Sequence, residues 1–226
     1  MAIPTPKVLF EDNHLIIVNK PAGYLSQGDA TGDIDMTEIT KQYIKVKYDK
    51  PGLVFLGLAH RIDRPVSGAL IMCRTSKALS RMTELFKKRE IKKTYHAIIM
   101  NRPPNVSDRL VSYLRKDTKR NKSKVSKKPF QGAKEAVLSY TQISEIGNHS
   151  LLEVNLETGR PHQVRAQLSH YKMPILGDAK YQPQAPLHDM SIALHSRSLE
   201  FIHPVKKEPV RVTAAYPNTE WWNIFQ

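Results

Sequence analysis

Residues 60–73 read HRIDRPVSGALIMC and join a charged loop to an apolar run. Asp63 lies between two arginines, and a proline, a serine and a glycine then lead into the apolar residues 69–73. A short uninterrupted apolar run after turn residues predicts a buried strand. The stretch therefore predicts a carboxylate on a braced loop before a core strand. One alternative stays open: Asp63 caps a turn and pairs with Arg61 or Arg64, because structural ion pairs of this kind are common.

The composition is that of a globular protein with a large excess of positive charge. Of 226 residues, 40% are hydrophobic and 25% are charged, and 35 Lys and Arg against 21 Asp and Glu give a net charge of +14. This balance favours a polyanionic partner, and nucleic acid rather than a membrane, because no basic amphipathic anchor stands out. Signal-peptide and membrane-spanning patterns are absent from the sequence, so we predict a cytoplasmic protein.

A second motif, residues 156–168, reads LETGRPHQVRAQL. It predicts the end of a strand, a glycine turn, and a helix that begins near Pro161 and continues to about Tyr171. Val164 and Leu168 are one helical turn apart, so the adjacent Arg165 is able to face a site rather than the core.

Taken together, HRIDRxxSGAL at 60–70 and LxTGRxHQVR at 156–165 resemble the RluA-type family of RNA pseudouridine synthases. Two shorter stretches look like further landmarks of that family: KTY at 93–95, before an apolar strand, and LGDAKY at 176–181. The resemblance runs from about Leu15 to Val212. The sequence departs from the family pattern at 65–66, 161 and 166–167, and none of these departures removes a residue that the family uses for chemistry.

The resemblance implies a fold as well as an activity. It predicts a mixed α+β fold with a large, mostly antiparallel sheet, flanking helices and a central cleft, in one catalytic domain over residues 1–226. The family's Asn-Lys-Pro-x-Gly segment, here at 19–23, begins almost at the N-terminus. We therefore expect a catalytic domain with no separate S4 RNA-binding domain ahead of it.

By the same resemblance, three residues carry the catalysis. Asp63 is the essential carboxylate, Tyr95 stacks on the uracil, and Arg165 is the cation that keeps Asp63 ionised in a pocket that excludes water. Arg61 fills the space left by the extruded base. Asp63 either attacks the uridine covalently or removes a ribose proton to give a glycal, and both routes stay open. We expect no metal, nucleotide or redox cofactor.

A basic arm is predicted around residues 103–132. Residues 115–128 hold eight Lys or Arg against one Asp and have no hydrophobic periodicity beyond Leu114, which is typical of an exposed loop or mobile arm. It either contacts RNA phosphates or is only a solvated loop. The full set of predicted RNA-binding residues is Arg61, Arg64, Arg160, His162, Arg115, Lys119, Arg120, Lys122 and Lys124.

Periodicity and capping residues predict the remaining elements. They are a strand at 15–18, a helix capped by Asp35 with core positions Ile39, Tyr43 and Val46, a helix capped by Thr75 or Ser76, a strand at 92–100, strands at 137–143 and 151–156 joined by Gly147 and Asn148, strands at 192–201 and 210–214, and a docked apolar tail at 221–225. Cys73, the only cysteine, lies in an apolar run and is expected to be a core residue that forms no disulfide.

Two other functions fit parts of this pattern. A metal-assisted or acid–base ribonuclease would use His60, Asp63, His162 and Asp178, but these residues lack the close spacing of a metal site. A non-catalytic RNA-binding or ribosome-assembly protein would keep the scaffold without the intact catalytic set. For the enzyme, the sequence leaves the target open between ribosomal and transfer RNA, and we expect a monomer.

Overall fold

The computed structural model describes residues 4–182 and 185–226. Among these residues the elements in chain order are β1 (Lys7–Glu11), β2 (Leu15–Lys20), α1 (Met36–Lys47), β3 (Gly57–Leu58), β4 (Ser67–Cys73), α2 (Ser76–Lys88), β5 (Lys92–Met100), β6 (Ser107–Asp117), β7 (Lys122–Ser126), β8 (Lys134–Ile146), β9 (His149–Leu156), α3 (Gln163–His170), β10 (Leu194–Ile202), β11 (Pro209–Thr213) and α4 (Glu220–Asn223). The fold is mixed α+β with a large, mostly antiparallel sheet, as the sequence predicted. None of the helices in the described ranges is long and apolar enough to span a membrane.

The chain forms two compact units. The first contains the described residues up to Ile91 together with Ser196–Pro217, and the second contains Lys92–His195 and Asn218–Gln226. The prediction of one catalytic domain over 1–226 remains a prediction.

In the first unit, strands β1, β2, β4 and β10 are neighbours in that order, with β3 beside β4 and β11 beside β10. Every residue of β4 is buried, which agrees with the apolar run that follows the Asp63 loop. Alternate residues of β2 and β4 share a core cluster with α2, β10 and β11. Cys73 belongs to this cluster, and burial raises the pKa of its thiol to about 12, so the thiol stays protonated.

Gly68 allows β4 to lie close to β10. Its φ of +115° is in a region that side chains rarely adopt, and a Cβ on Gly68 would lie 2.6 Å from the backbone nitrogen of Ser196. The Ser196 hydroxyl donates a hydrogen bond to the Ala69 carbonyl at 3.1 Å. The glycine therefore sets the strand spacing immediately after the Asp63 loop.

In the second unit, strands β5, β9, β8, β6 and β7 are neighbours in that order, and consecutive pairs are antiparallel. Helix α3 is nearly enclosed, since Gln163 through Leu168 are all buried. Gln167, a departure from the family pattern, holds α3 in place: its Nε2 lies within hydrogen-bond distance of three oxygens on neighbouring strands, namely the Leu110 and Ala136 carbonyls and the Ser112 hydroxyl.

Most of the predicted elements are present. Asp35 caps α1 by accepting hydrogen bonds from the backbone of Thr37 and Glu38, and Thr75 caps α2. Helix α3 begins at Gln163, two residues later than predicted. Val46 was predicted to be a core residue but is 72% exposed, because α1 ends one residue later and its last turn leaves the core. Strands β1 and β3 were not predicted.

The basic arm requires a correction. Part of the segment predicted as an exposed loop or mobile arm around 103–132 is an antiparallel hairpin, in which β6 pairs with β7 from Tyr113↔Ser126 to Asp117↔Lys122. The buried residues of β6 and β7 are Leu110, Ser112, Leu114 and Ser123, and exposed lysines flank Ser123. Two of these four inward residues are serines, so a search for apolar periodicity did not detect the strands.

The C-terminal tail docks as predicted, because Trp221 and Trp222 of α4 are buried. The ring of Trp222 meets His195 edge-on at 5.7 Å between centroids.

Candidate functional site

The loop that carries Asp63 is held by backbone hydrogen bonds on both sides. The Ser26 hydroxyl donates to the Ile62 carbonyl at 2.8 Å and accepts from the Ile62 amide at 3.2 Å. The Asp63 carbonyl accepts from the Val66 amide at 3.0 Å, and the Arg64 carbonyl accepts from the Gly23 amide at 2.9 Å. These bonds fix the backbone of Asp63, whose side chain is half-buried.

Lys20 lies beneath this loop and is fully buried. Its Nζ donates to the carbonyls of Pro21, Tyr24 and Arg64 at 2.8, 2.7 and 3.2 Å. Three donated bonds match the three protons of an ammonium group. Burial lowers the pKa of Lys20 to about 7, against the opposing attraction of Asp63 and together with the repulsion of Arg64. The ammonium group of Lys20 therefore interacts electrostatically with the carboxylate of Asp63.

Tyr95 is on β5 and is half-buried. It pairs with Val154 of β9, and the adjacent Thr94 donates a hydrogen bond from its hydroxyl to the Asn155 side chain at 2.9 Å. β5 is paired with β9 from Thr94 to Met100, which orders this backbone. The ring of Tyr95 therefore projects from an ordered backbone, as a residue that stacks on uracil requires.

Arg165 is buried on α3 and makes a two-point ion pair with Asp178. Its Nε lies 2.8 Å from Oδ2, and its Nη2 lies 2.9 Å from Oδ1. This parallel geometry fixes the plane of the guanidinium as well as its position. Asp178 is part of the 176–181 landmark, but the sequence assigned it no role in the pseudouridine synthase reaction.

Tyr181 lies beside this pair. Its ring centroid is 5.4 Å from the Arg165 guanidinium carbon and 4.9 Å from Nζ of Lys122 on the hairpin. Its hydroxyl accepts a hydrogen bond from the Ser123 amide at 2.7 Å and lies 2.9 Å from Nδ1 of His162. The second unit therefore brings Arg165, His162 and Lys122 together around one tyrosine.

The other predicted RNA-binding residues are exposed or half-buried, and several also contact protein groups. Arg64 donates to the Gly23 carbonyl at 2.9 Å and is paired with Asp33 at 2.7 Å. Arg160 donates to the Glu135 carbonyl at 2.9 Å. Arg61 is exposed.

The hairpin supplies the rest of the predicted set, namely Arg115, Lys119, Arg120, Lys122 and Lys124, all of them exposed. Arg115 and Lys124 each lie 5.5 Å from the ring centroid of Phe130. Cations held over rings by cation–π contacts sample fewer positions than cations on a loop. The hairpin therefore presents a basic surface of defined shape.

The three predicted catalytic residues are divided between the two units. Asp63 belongs to the first, and Tyr95 and Arg165 belong to the second. That Arg165 is the cation beside Asp63 remains a prediction.

The sequence assigned three residues of the candidate site no role in the proposed reaction. Lys20 has a signal in the sequence, since it belongs to the Asn-Lys-Pro-x-Gly segment at 19–23. Asp178 and Tyr181 lie in the 176–181 landmark, but the sequence does not show their partners, which are 13 to 58 residues away.

The ribonuclease alternative finds no support in these contacts. Both oxygens of Asp178 bind Arg165. Nε2 of His60 accepts the Ile71 amide at 2.9 Å, and its ring stacks on Phe86, so these contacts give His60 a packing role. Within residues 4–182 and 185–226, no group of three or more His, Cys, Asp or Glu is placed to hold a metal ion.

Comparisons with known sequences agree on one family. Residues 14–170 match the profile of a family described as RNA pseudouridylate synthase. Ribosomal large subunit pseudouridine synthase D of Xylella fastidiosa is 30% identical over 226 residues, which cover 93% of this chain and 66% of the relative. The tRNA pseudouridine synthase C of Salmonella typhi is 28% identical over 236 residues, which cover 96% and 88%.

A solved structure shares the fold. The human RNA pseudouridylate synthase domain containing 4 superposes with a TM-score of 0.77 at 23% identity, covering 94% of this chain and 89% of that one. The chain spans about two thirds of the length of the Xylella fastidiosa relative.

Proposed function

The chain belongs to the RNA pseudouridylate synthase family, and from this premise we propose that it isomerises uridine to pseudouridine in structured RNA. In this reaction the bond from ribose C1′ to N1 of uracil breaks, the base rotates, and a bond forms from C1′ to C5. The proton on C5 leaves and N1 gains one, so atoms balance without an external reactant. We propose that no metal or other cofactor takes part.

Asp63 is the proposed essential carboxylate. The observation that carries this assignment is the set of hydrogen bonds on both sides of Asp63. These bonds fix the backbone from which its carboxylate projects. Preorganisation of this kind supports catalysis because the reacting group does not have to be ordered during the reaction. Both the covalent and the glycal routes are compatible with this role.

Arg165 is the proposed cation that keeps Asp63 ionised, and Tyr95 is the proposed ring that stacks on the uracil. The bidentate bond to Asp178 supports the first assignment, because it gives Arg165 a fixed orientation. The pairing of Tyr95 with Val154 of β9, which orders its backbone, supports the second. Arg61, which is exposed, is proposed to fill the space of the flipped base.

The proposed RNA contacts continue across the hairpin. Its exposed cations suit phosphate groups, which contribute most of the affinity of proteins for nucleic acids. Arg64, Arg160 and His162 complete the proposed RNA-binding set.

Ribosomal and transfer RNA are both named as targets of relatives, and both stay as candidate substrates. We further propose a monomeric enzyme that acts in the cytoplasm.

The test replaces Asp63 with Asn, which keeps the shape of the side chain but removes the carboxylate. With unmodified transfer RNA and large-subunit ribosomal RNA transcripts, wild type should form pseudouridine, detected by mass spectrometry after chemical labelling. D63N should bind the same RNA within about threefold and form none. Asp49→Asn is the matched control, because Asp49 is exposed in the same unit and its φ of +46° suits asparagine.

Turnover by D63N would refute the role of Asp63. RNA binding by wild type without pseudouridine in either RNA class would favour the non-catalytic RNA-binding protein.

A further inference from the structure

Two hydrogen bonds tie strand β7 of the hairpin to the segments on either side of α3. The Ser123 amide donates to the Tyr181 hydroxyl at 2.7 Å, and the Ser123 hydroxyl donates to the Pro161 carbonyl at 2.7 Å. Ser123 is buried, so an unsatisfied amide at this point would be costly. The Tyr181 hydroxyl is therefore one of the anchors that hold β7 of the basic hairpin beside α3.

The same hydroxyl lies 2.9 Å from Nδ1 of His162, in a hydrogen bond whose direction depends on the imidazole tautomer. Because the Tyr181 oxygen already accepts the Ser123 amide, this arrangement favours donation of the hydroxyl proton to Nδ1 of His162. Burial raises the pKa of Tyr181, so this proton is retained at neutral pH. Nδ1 of the neutral imidazole then accepts, and Nε2 is the protonated nitrogen.

The ring of Tyr181 has a different contact. The Arg165 guanidinium carbon lies 5.4 Å from the ring centroid, within the range of a cation–π interaction. Asp178 holds one edge of the guanidinium, and the ring limits its tilt. Lys122 of the hairpin lies 4.9 Å from the same centroid.

The tyrosine itself is anchored. Its carbonyl accepts a hydrogen bond from the Ser169 hydroxyl on α3 at 2.6 Å, and its amide donates to the Asp178 carbonyl at 3.0 Å. A side chain that starts from such a fixed backbone is able to position the groups around it.

We propose that Tyr181 is a positioning residue with two separable parts: its hydroxyl holds the basic hairpin and the tautomer of His162, and its ring orients Arg165. This inference rests on the proposed function, because it assigns the hairpin to RNA binding and Arg165 to catalysis. The hydroxyl thus acts on RNA affinity, and the ring acts on the chemical step. Tyr181 therefore contacts both the hairpin, at Ser123, and Arg165 of α3.

Tyr181→Phe removes the hydroxyl and keeps the ring. With the unmodified transcripts, RNA affinity should fall about tenfold while kcat stays within about threefold of wild type. The rate is followed by release of tritium from C5 of labelled uridine. In ¹⁵N NMR spectra above the imidazole pKa, wild type should show His162 protonated at Nε2, and Y181F should show a mixture of tautomers. The His162→Gln spectrum assigns the signal.

Tyr181→Leu removes the ring as well and should lower kcat at least tenfold further. Tyr181→Met replaces it if the leucine variant does not fold. Tyr48→Phe is the matched control, since the Tyr48 hydroxyl also makes a hydrogen bond, donated to Glu11 at 2.9 Å, and the guanidinium carbon of Arg74 lies 4.7 Å from its ring centroid, all within the first unit. This control should stay within about twofold of wild type in both affinity and kcat.

Wild-type affinity and an unchanged His162 spectrum in Y181F would overturn the role of the hydroxyl. Equal kcat values for the phenylalanine and leucine variants would overturn the role of the ring. RNA affinity and the NMR signal do not require turnover. If wild type forms no pseudouridine, the proposed function is refuted. The role of the Tyr181 hydroxyl as an anchor of the hairpin is then still decided by the RNA affinity and the NMR signal.

Discussion

Arg165 and Asp178 form a buried, two-point ion pair, with Nε to Oδ2 at 2.8 Å and Nη2 to Oδ1 at 2.9 Å. They lie 13 residues apart, on α3 and in the turn of the 176–181 landmark. A buried pair of this kind orders its members more than it adds net stability, because removing two charges from water is costly. The main effect of this ion pair is therefore to fix the direction of the Arg165 guanidinium.

The first prediction concerns the free energy of unfolding of variants of this pair. Asp178→Asn leaves the Arg165 cation buried without its counter-charge, and it should reduce that free energy by about 3–5 kcal/mol. The double variant R165M/D178L removes both charges together and should cost much less than D178N. Urea unfolding followed by circular dichroism measures both. A loss below about 1 kcal/mol for D178N would contradict the ion-pair argument.

The second prediction concerns Lys20 and pH. In the unfolded chain the Lys20 ammonium keeps its proton to about pH 10.5, whereas in the folded protein its pKa is about 7. The unfolded state therefore binds more protons between these values, and Lys20 makes stability rise with pH across this window. Lys20→Met should remove this contribution.

The measurement for Lys20 is urea unfolding of wild type and K20M from pH 6 to pH 9.5. Wild type should gain stability relative to K20M as the pH rises. Lys45→Met is the control, because Lys45 is exposed. A difference between wild type and K20M that is independent of pH would show that Lys20 keeps its ordinary pKa.

The third prediction concerns the hairpin and salt. Each phosphate contact adds about 0.7–0.9 to the slope of log K against log salt concentration. Replacing Lys119, Lys122, Lys124 and Lys128 with Gln should therefore reduce the slope by about 2.8 to 3.6 units. Filter binding to transfer RNA transcripts at several salt concentrations measures it.

A quadruple Gln variant of exposed lysines in the first unit is the control for charge alone. The positions are Lys45, Lys50, Lys87 and Lys207. If both variants change the slope equally, the hairpin has no special role.

The fourth prediction concerns Gly68. Gly68→Ala places a methyl group against the Ser196 backbone at a φ of +115°, and it should reduce the free energy of unfolding by at least about 2 kcal/mol. Gly52→Ala is the matched control, since Gly52 is in the same unit with open space around its Cβ position. That variant should stay within about 0.5 kcal/mol of wild type. Thermal unfolding compares the two, and equal stability would refute the close approach of β4 to β10.

Local elements were predictable where one face is apolar or a cap is present. The apolar run after Asp63 identified β4, and Asp35 and Thr75 marked the starts of α1 and α2. The β6–β7 hairpin was not predictable in this way, because two of the four buried residues on its inner face are serines. A charged segment with polar inward positions looks like a loop in sequence.

The sequence by itself determined the family, the fold class and the residue types of the candidate site, because short motifs and periodicity are local properties of a chain. Tertiary structure alone decided the partners: Asp178 for Arg165, Tyr181 for both His162 and the hairpin, and the three carbonyls for Lys20. The physical reason is that a buried charge or hydroxyl needs a partner in space, and folding supplies it from any distance along the chain.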